Sequence, residues 1–126
     1  MNNKGQEISE KFNRILSKMI NCNTLVIVEG KKDAKTLSNL GLKNIVCLSK
    51  KPIYKIAEEI AIKNKEVTIL TDLDSEGKVL YHRLNVTLTS LGVRVNNELR
   101  NFLLKNTNLR QIEGLESYAK KFNLIK

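Results

Sequence analysis

The sequence contains no tryptophan, one proline, two cysteines and six glycines in 126 residues. So little Pro and Gly excludes a linker, a collagen-like repeat or a low-complexity chain. Cys22 and Cys47 stand far apart, each with apolar residues nearby, and no CxxC is present. That argues against a disulfide framework or a cysteine metal site. Both read as buried, reduced thiols of a cytosolic, cytoplasmic protein. No apolar run approaches the roughly 18 residues that a membrane span needs. Nor does an apolar stretch follow the first seven residues, so no secretory signal and no membrane partner are expected. With three Phe and three Tyr, aromatic rings are too few for a stacking platform that grips single strands.

What the chain has in excess is positive charge. Its 22 Lys and Arg outnumber 13 Asp and Glu, giving a formal net charge of +9. Such an excess favours a polyanionic partner, RNA or DNA. With 41% hydrophobic and 28% charged residues, the length suits one soluble domain with one core.

Hydrophobic periodicity orders the chain. Ile8, Phe12, Ile15, Leu16, Met19 and Ile20 mark one face of an N-terminal helix. Thr24 to Val28 is a β-branched run suited to a strand buried on both faces. A helix from Asp33 to Leu40 stops at Gly41. Ile45 to Leu48 reads as a second short buried strand. Pro52 opens a helix that turns Ile53, Ile56, Ala57, Ile60 and Ala61 to one side. Val67 to Leu70 is a third strand. The helix from Lys78 to Leu91 is expected to turn Val79, Leu80, Leu84, Leu88 and Leu91 inward, closing at Gly92. Val93 to Val95 is a fourth strand, Asn97 is expected to cap a helix to about Lys105, and 115–122 reads as a last helix. Strands alternating with helices predict an α/β fold with about four mainly parallel strands. The expected organisation is an extra N-terminal helix over 1–23, a core over 24–105 and a C-terminal helical extension over 106–126. Whether the first helix covers the sheet or joins two subunits is left open.

In an open parallel sheet, ligands bind beyond the carboxyl ends of the strands. Glu29-Gly30 follows the first strand, and Asp72-Leu73-Asp74 follows the third. Alternate side chains of extended backbone share a side, so Asp72 and Asp74 can face one crevice while Leu73 turns inward. Three carboxylates at one edge repel one another and call for a cation. Hard oxygen ligands select Mg²⁺ or Mn²⁺, one or two ions. Gly30 and Gly77 are expected to permit close approach and a tight turn.

The residues Val28-Glu29-Gly30-Lys31-Lys32-Asp33 and Leu70-Thr71-Asp72-Leu73-Asp74-Ser75-Glu76-Gly77 resemble the signature of the Toprim family. That family places Glu-Gly after its first strand and Asp-x-Asp-x-x-Gly after its third. The resemblance spans about 24–105 and implies a Toprim, Rossmann-like fold. The whole chain looks similar to small stand-alone archaeal Toprim proteins, and also to the Toprim half of the ribonuclease that matures 5S ribosomal RNA. It implies that Glu29 is a metal ligand and general acid/base, that Asp72 bridges two metal positions, and that Asp74 holds the second. The implied activity is Mg²⁺-dependent nuclease or phosphotransferase chemistry on nucleic-acid phosphodiesters, as in RNA processing or DNA repair. The alternative is a non-catalytic, metal-assisted nucleic-acid-binding module that works with a partner protein; a homodimer is also open.

Lys31, Lys50, Lys51 and Lys78 fall in or beside the loops at the same edge, which suits a phosphate track. Arg83 lies further along the last of these helices. Gly77-Lys78 is no Walker A loop, because no Gly stands five positions earlier and Val79 replaces Ser/Thr. His82, the one histidine, reads as a helix-surface residue. Tyr54, Tyr81 and Tyr118 read as packing or surface residues. Asp33 and Glu76 suit the first turns of helices and are left outside the metal shell. A receiver-type α/β domain is disfavoured, because the Asp pair follows the third strand rather than the first.

Overall fold

The computed structural model describes residues 3–121. In chain order the elements are α1 (Asn3–Asn21), β1 (Leu25–Val28), α2 (Lys31–Asn39), β2 (Ile45–Cys47), α3 (Ile53–Lys63), β3 (Glu66–Ile69), α4 (Ser75–Ser90), β4 (Arg94–Val95) and α5 (Glu98–Asn106). A 3₁₀ turn over Ile112–Gly114 and α6 (Leu115–Lys120) follow. Phe122, expected to end the last helix, lies outside the described residues. The four strands form one sheet in the order β2-β1-β3-β4, and every pairing is parallel.

Two cores sandwich the sheet. On one side Phe12, Leu16 and Met19 of α1 pack with Val26, Val28, Leu70, Leu103 and Leu115. Phe12 is fully buried. Its ring stacks on Phe102 at 5.6 Å and meets the edge of Tyr118 at 5.4 Å. The first helix therefore covers a sheet face and shares its core with α5 and α6. On the other side Ile56, Ala57 and Ile60 of α3 meet Ile27, Ile69, Leu84 and Leu88. Gly41 and Gly92, at φ +104° and +84°, end α2 and α4 in the left-handed region, as expected of glycines there.

Several expectations are corrected. Cys22 is exposed and Cys47 half-buried, although both are free thiols. Cys22 follows the end of α1 in a turn, between the polar Asn21 and Asn23. Ile45, Val46 and Cys47 are only partly buried, because β2 is an edge strand. Of the side chains expected to face inward from α4 only Leu84 and Leu88 are buried, while Val79 and Leu91 are 60% and 43% exposed. Leu80 is intermediate. The helix begins at Ser75 rather than Lys78, and its buried stripe is narrower than the pattern suggests. Ile20 is likewise turned out, at 38%. Asn97 makes no side-chain cap; its Oδ1 accepts the Tyr81 hydroxyl instead.

Candidate metal centre

Glu29, Asp72 and Asp74 come to one edge of the sheet because β1 and β3 are neighbours and end in register. Leu70 N–H donates to Ile27 O at 2.8 Å. Two residues on, Asp72 N–H donates to Glu29 Oε2 at 2.7 Å, so the two loops are tied by a carboxylate itself. Asp72 Oδ1 accepts from Ile112 N–H at 2.9 Å. Asp74 caps α4, accepting from Gly77 N–H through Oδ1 at 2.8 Å. Leu73 between them is buried, as the alternation predicts.

Each carboxylate thus commits one oxygen to a backbone N–H. No protein donor among the described residues reaches the second oxygen of any of the three. Burial raises the proton affinity of Glu29; the bond from Asp72 N–H opposes this, and the charges of Asp72, Asp74 and Glu76 reinforce it. Asp33 is buried and accepts from Gly30 N–H at 3.1 Å. Burial is the main cause pushing its pKa up to about 6; the Gly30 bond opposes the rise, and Asp72, Glu113 and Glu29 add to it. It therefore belongs to the same electrostatic neighbourhood, beyond the helix-dipole role read from sequence. No three His, Cys, Asp or Glu side chains among the described residues already converge to enclose one ion.

Arg100 is the residue that sequence reasoning missed. It is 3% exposed and donates to Thr71 O at 2.8 Å and Asp72 O at 3.1 Å. Its guanidinium lies 4.6 Å from the centroid of the Tyr81 ring. Burial lowers its pKa, opposed by Tyr81, Glu29 and Asp72. A buried cation thus holds the backbone under the acidic loop. Nothing in the local pattern of α5 pairs position 100 with 71 and 72, so only the fold reveals it.

Gly77 is required for space rather than for a turn. A Cβ there would lie 1.9 Å from Asp72 O. Gly30 has extended backbone, and an added Cβ would meet nothing closer than Asp33 Oδ2 at 3.9 Å. The protein itself does not demand the close approach expected there.

The basic residues divide. Pairing continues past β2: Leu48 N–H donates to Val28 O at 2.9 Å and Ser49 N–H to Glu29 O at 3.4 Å. The chain then reverses through Ser49 and Lys50, both left-handed at φ +42° and +64°, with Lys51 N–H closing on Leu48 O. Two successive non-glycine residues in this region store strain of about 1–3 kcal/mol each. The turn brings Lys50 and Lys51 into a cleft of about 340 Å³ with Glu29, Leu80 and Arg83. Lys31 and Lys78, both exposed, do not line it. His82 and Tyr54 are exposed as expected.

Parallel order, a strand-terminal Glu and an Asp-x-Asp loop on the neighbouring strand define the class: the chain belongs to the Toprim domain family, whose model matches residues 24–99. This family is associated with Mg²⁺ and with nucleic acid. Within it, the chain belongs with the UPF0292 proteins. It is 39% identical to one from Methanocaldococcus jannaschii over 100 residues, covering 76% of this chain and 78% of that one. It is 38% identical to another from Pyrococcus abyssi, covering 83% and 79%. A solved structure from Aquifex aeolicus superposes with a TM-score of 0.73 at 33% identity, covering 82% of this chain and 94% of that one.

Proposed function

We propose that the protein is a Mg²⁺-dependent phosphodiesterase or phosphotransferase acting on RNA or DNA, with Glu29, Asp72 and Asp74 as its metal ligands. The observation that carries this reading is the set of second carboxylate oxygens, one on each residue, that accept no hydrogen bond from the described residues. Backbone N–H groups hold each carboxylate in place while leaving a hard oxygen for Mg²⁺, with Mn²⁺ as substitute. When bound, the ion supplies Lewis-acid polarisation of a phosphoryl oxygen and lowers the pKa of water.

The chain's own residues do the rest. Lys50, Lys51 and Arg83 hold a phosphate in the cleft that Glu29 also lines. Glu29 is accordingly the carboxylate placed to take or return a proton at that phosphate. Arg100 fixes the Asp72 backbone, so the acid pair is positioned before substrate arrives. Lys31 and Lys78 remain outer, weaker phosphate contacts in this reading.

That the three carboxylates do not close around one ion position among the described residues favours one second reading, a binding module that holds phosphate through the metal without turnover. One experiment separates the two. Mg²⁺ and Mn²⁺ are titrated into wild type and Asp72→Asn/Asp74→Asn, with binding and cleavage of structured RNA and duplex DNA followed in parallel. The expected result is metal-dependent cleavage by wild type, reduced at least about 100-fold in the variant. Metal-dependent binding without cleavage selects the binding module. Absence of metal binding by wild type sinks both.

A further inference from the structure

The segment that follows α5 is a built part of the acidic edge. Leu73 N–H donates to Arg110 O at 2.7 Å, and Ile112 N–H donates to Asp72 Oδ1 at 2.9 Å. Two bonds, one on either side of Gln111, therefore fasten this segment to the Asp-x-Asp loop. Ile112 and Leu115 are buried in the core, which anchors it from beneath. The side chains of Asn108, Arg110 and Gln111 are exposed. With Asp74 and Gly114 they line a cleft of about 460 Å³. Arg110 has no carboxylate within ion-pair distance among the described residues.

This cleft is distinct from the first one. Lys50 and Lys51 follow β2, Glu29 follows β1, and Asp72 and Asp74 follow β3. Glu29 lines the basic cleft and Asp74 the Arg110 cleft, and the two share no lining residue, so the linked acidic loops stand between them. A nucleic-acid strand held by the first cleft alone would pass the carboxylates with nothing to fix its continuation. Asp74 by itself would repel the next phosphate.

We propose that residues 108–111 form a second nucleic-acid subsite, in which the Arg110 guanidinium holds a phosphate of the strand leaving the carboxylates. This rests on the nucleic-acid reading above and adds a direction to it. The strand crosses the acidic edge from Lys50, Lys51 and Arg83 to Arg110. Asn108 and Gln111 supply amide donors and acceptors beside the same nucleotide.

The test is fluorescence anisotropy of end-labelled RNA and DNA oligonucleotides of graded length. Binding is measured in Ca²⁺, to keep the oxygen ligands screened, over a range of salt concentrations. Proteins compared are wild type, Arg110→Ala, Arg110→Lys and Lys50→Ala/Lys51→Ala. Arg110→Ala keeps the backbone carbonyl that Leu73 uses, and thermal melts check that it folds as wild type does. The expected result is binding weakened about fivefold, with a salt slope shallower by about 0.7–0.9, the loss of one phosphate contact. Arg110→Lys restores most of both. The shortest oligonucleotides, which fill one cleft, are insensitive to Arg110. If Lys50→Ala/Lys51→Ala weakens binding while Arg110→Ala matches wild type in affinity and slope, the second subsite is wrong and the nucleic-acid reading stands. If wild type binds no oligonucleotide, both fall together.

Discussion

Single residues carry opposing demands at this edge. Asp33 is buried among Glu29, Asp72 and Glu113, and its pKa is pushed up to about 6 from 3.8. Its folded form holds a proton more tightly than the unfolded chain does. The stability linked to that proton is present below about pH 4 and is lost as pH rises through about 6. Asp33→Asn keeps an oxygen for Gly30 N–H and removes the charge. In EDTA the variant should be more stable than wild type by about 1 kcal/mol at pH 8, after discounting for solvent at this open edge. The difference should shrink towards pH 4. Urea unfolding at several pH values checks it, and a variant less stable at pH 8 would contradict the charge argument.

At the scale of elements, the β3–α4 connection is the piece that cannot be loosened. Thr71 Oγ1 donates to Gly77 O at 2.7 Å, while Gly77 N–H donates to Asp74 Oδ1. The first turn of α4 is thereby pressed onto the backbone of Asp72. Gly77→Ala places a Cβ against a carbonyl that has no flexible end to move. The expected cost is about 1–3 kcal/mol or more, and the displaced loop should bind Mn²⁺ at least several-fold more weakly. A thermal melt and a Mn²⁺ titration on the same sample test both. By contrast the Ser49–Lys50 turn bends through strain rather than contact. Neither residue type announces a left-handed turn in sequence; pairing of Leu48 and Ser49 with β1 imposes it.

At the scale of the whole molecule, the terminal helices form one support for the site. Phe12 of α1 meets Phe102 of α5 and Tyr118 beside the segment that reaches Asp72. Phe12→Ala should cost about 3–5 kcal/mol in urea unfolding. A loss below about 1 kcal/mol would mean that α1 is an appendage rather than a wall of the core. Among the described residues no helix is long and apolar enough to cross a membrane. The net charge of +9 draws a polyanion towards the molecule, but the basic side chains that matter are the few the fold brings beside Glu29 and Asp74.

How much was legible in the sequence follows from which signals are local. Strand and helix order, the parallel sheet, the glycine stops at Gly41 and Gly92, and the placing of Glu29, Asp72 and Asp74 at strand ends all follow from periodicity and short spacing. Those are properties of neighbouring residues, and the sequence by itself determined them. Burial on α4 was misjudged because a helical stripe has the width of its neighbour, which the stripe does not encode. Only tertiary structure decided that Arg100 lies beneath the acidic loop and that Ile112 N–H holds Asp72. Each of these joins residues about 28 or more positions from the partner they serve. A contact across such a distance is set by how the elements pack, and no local pattern of residues carries it.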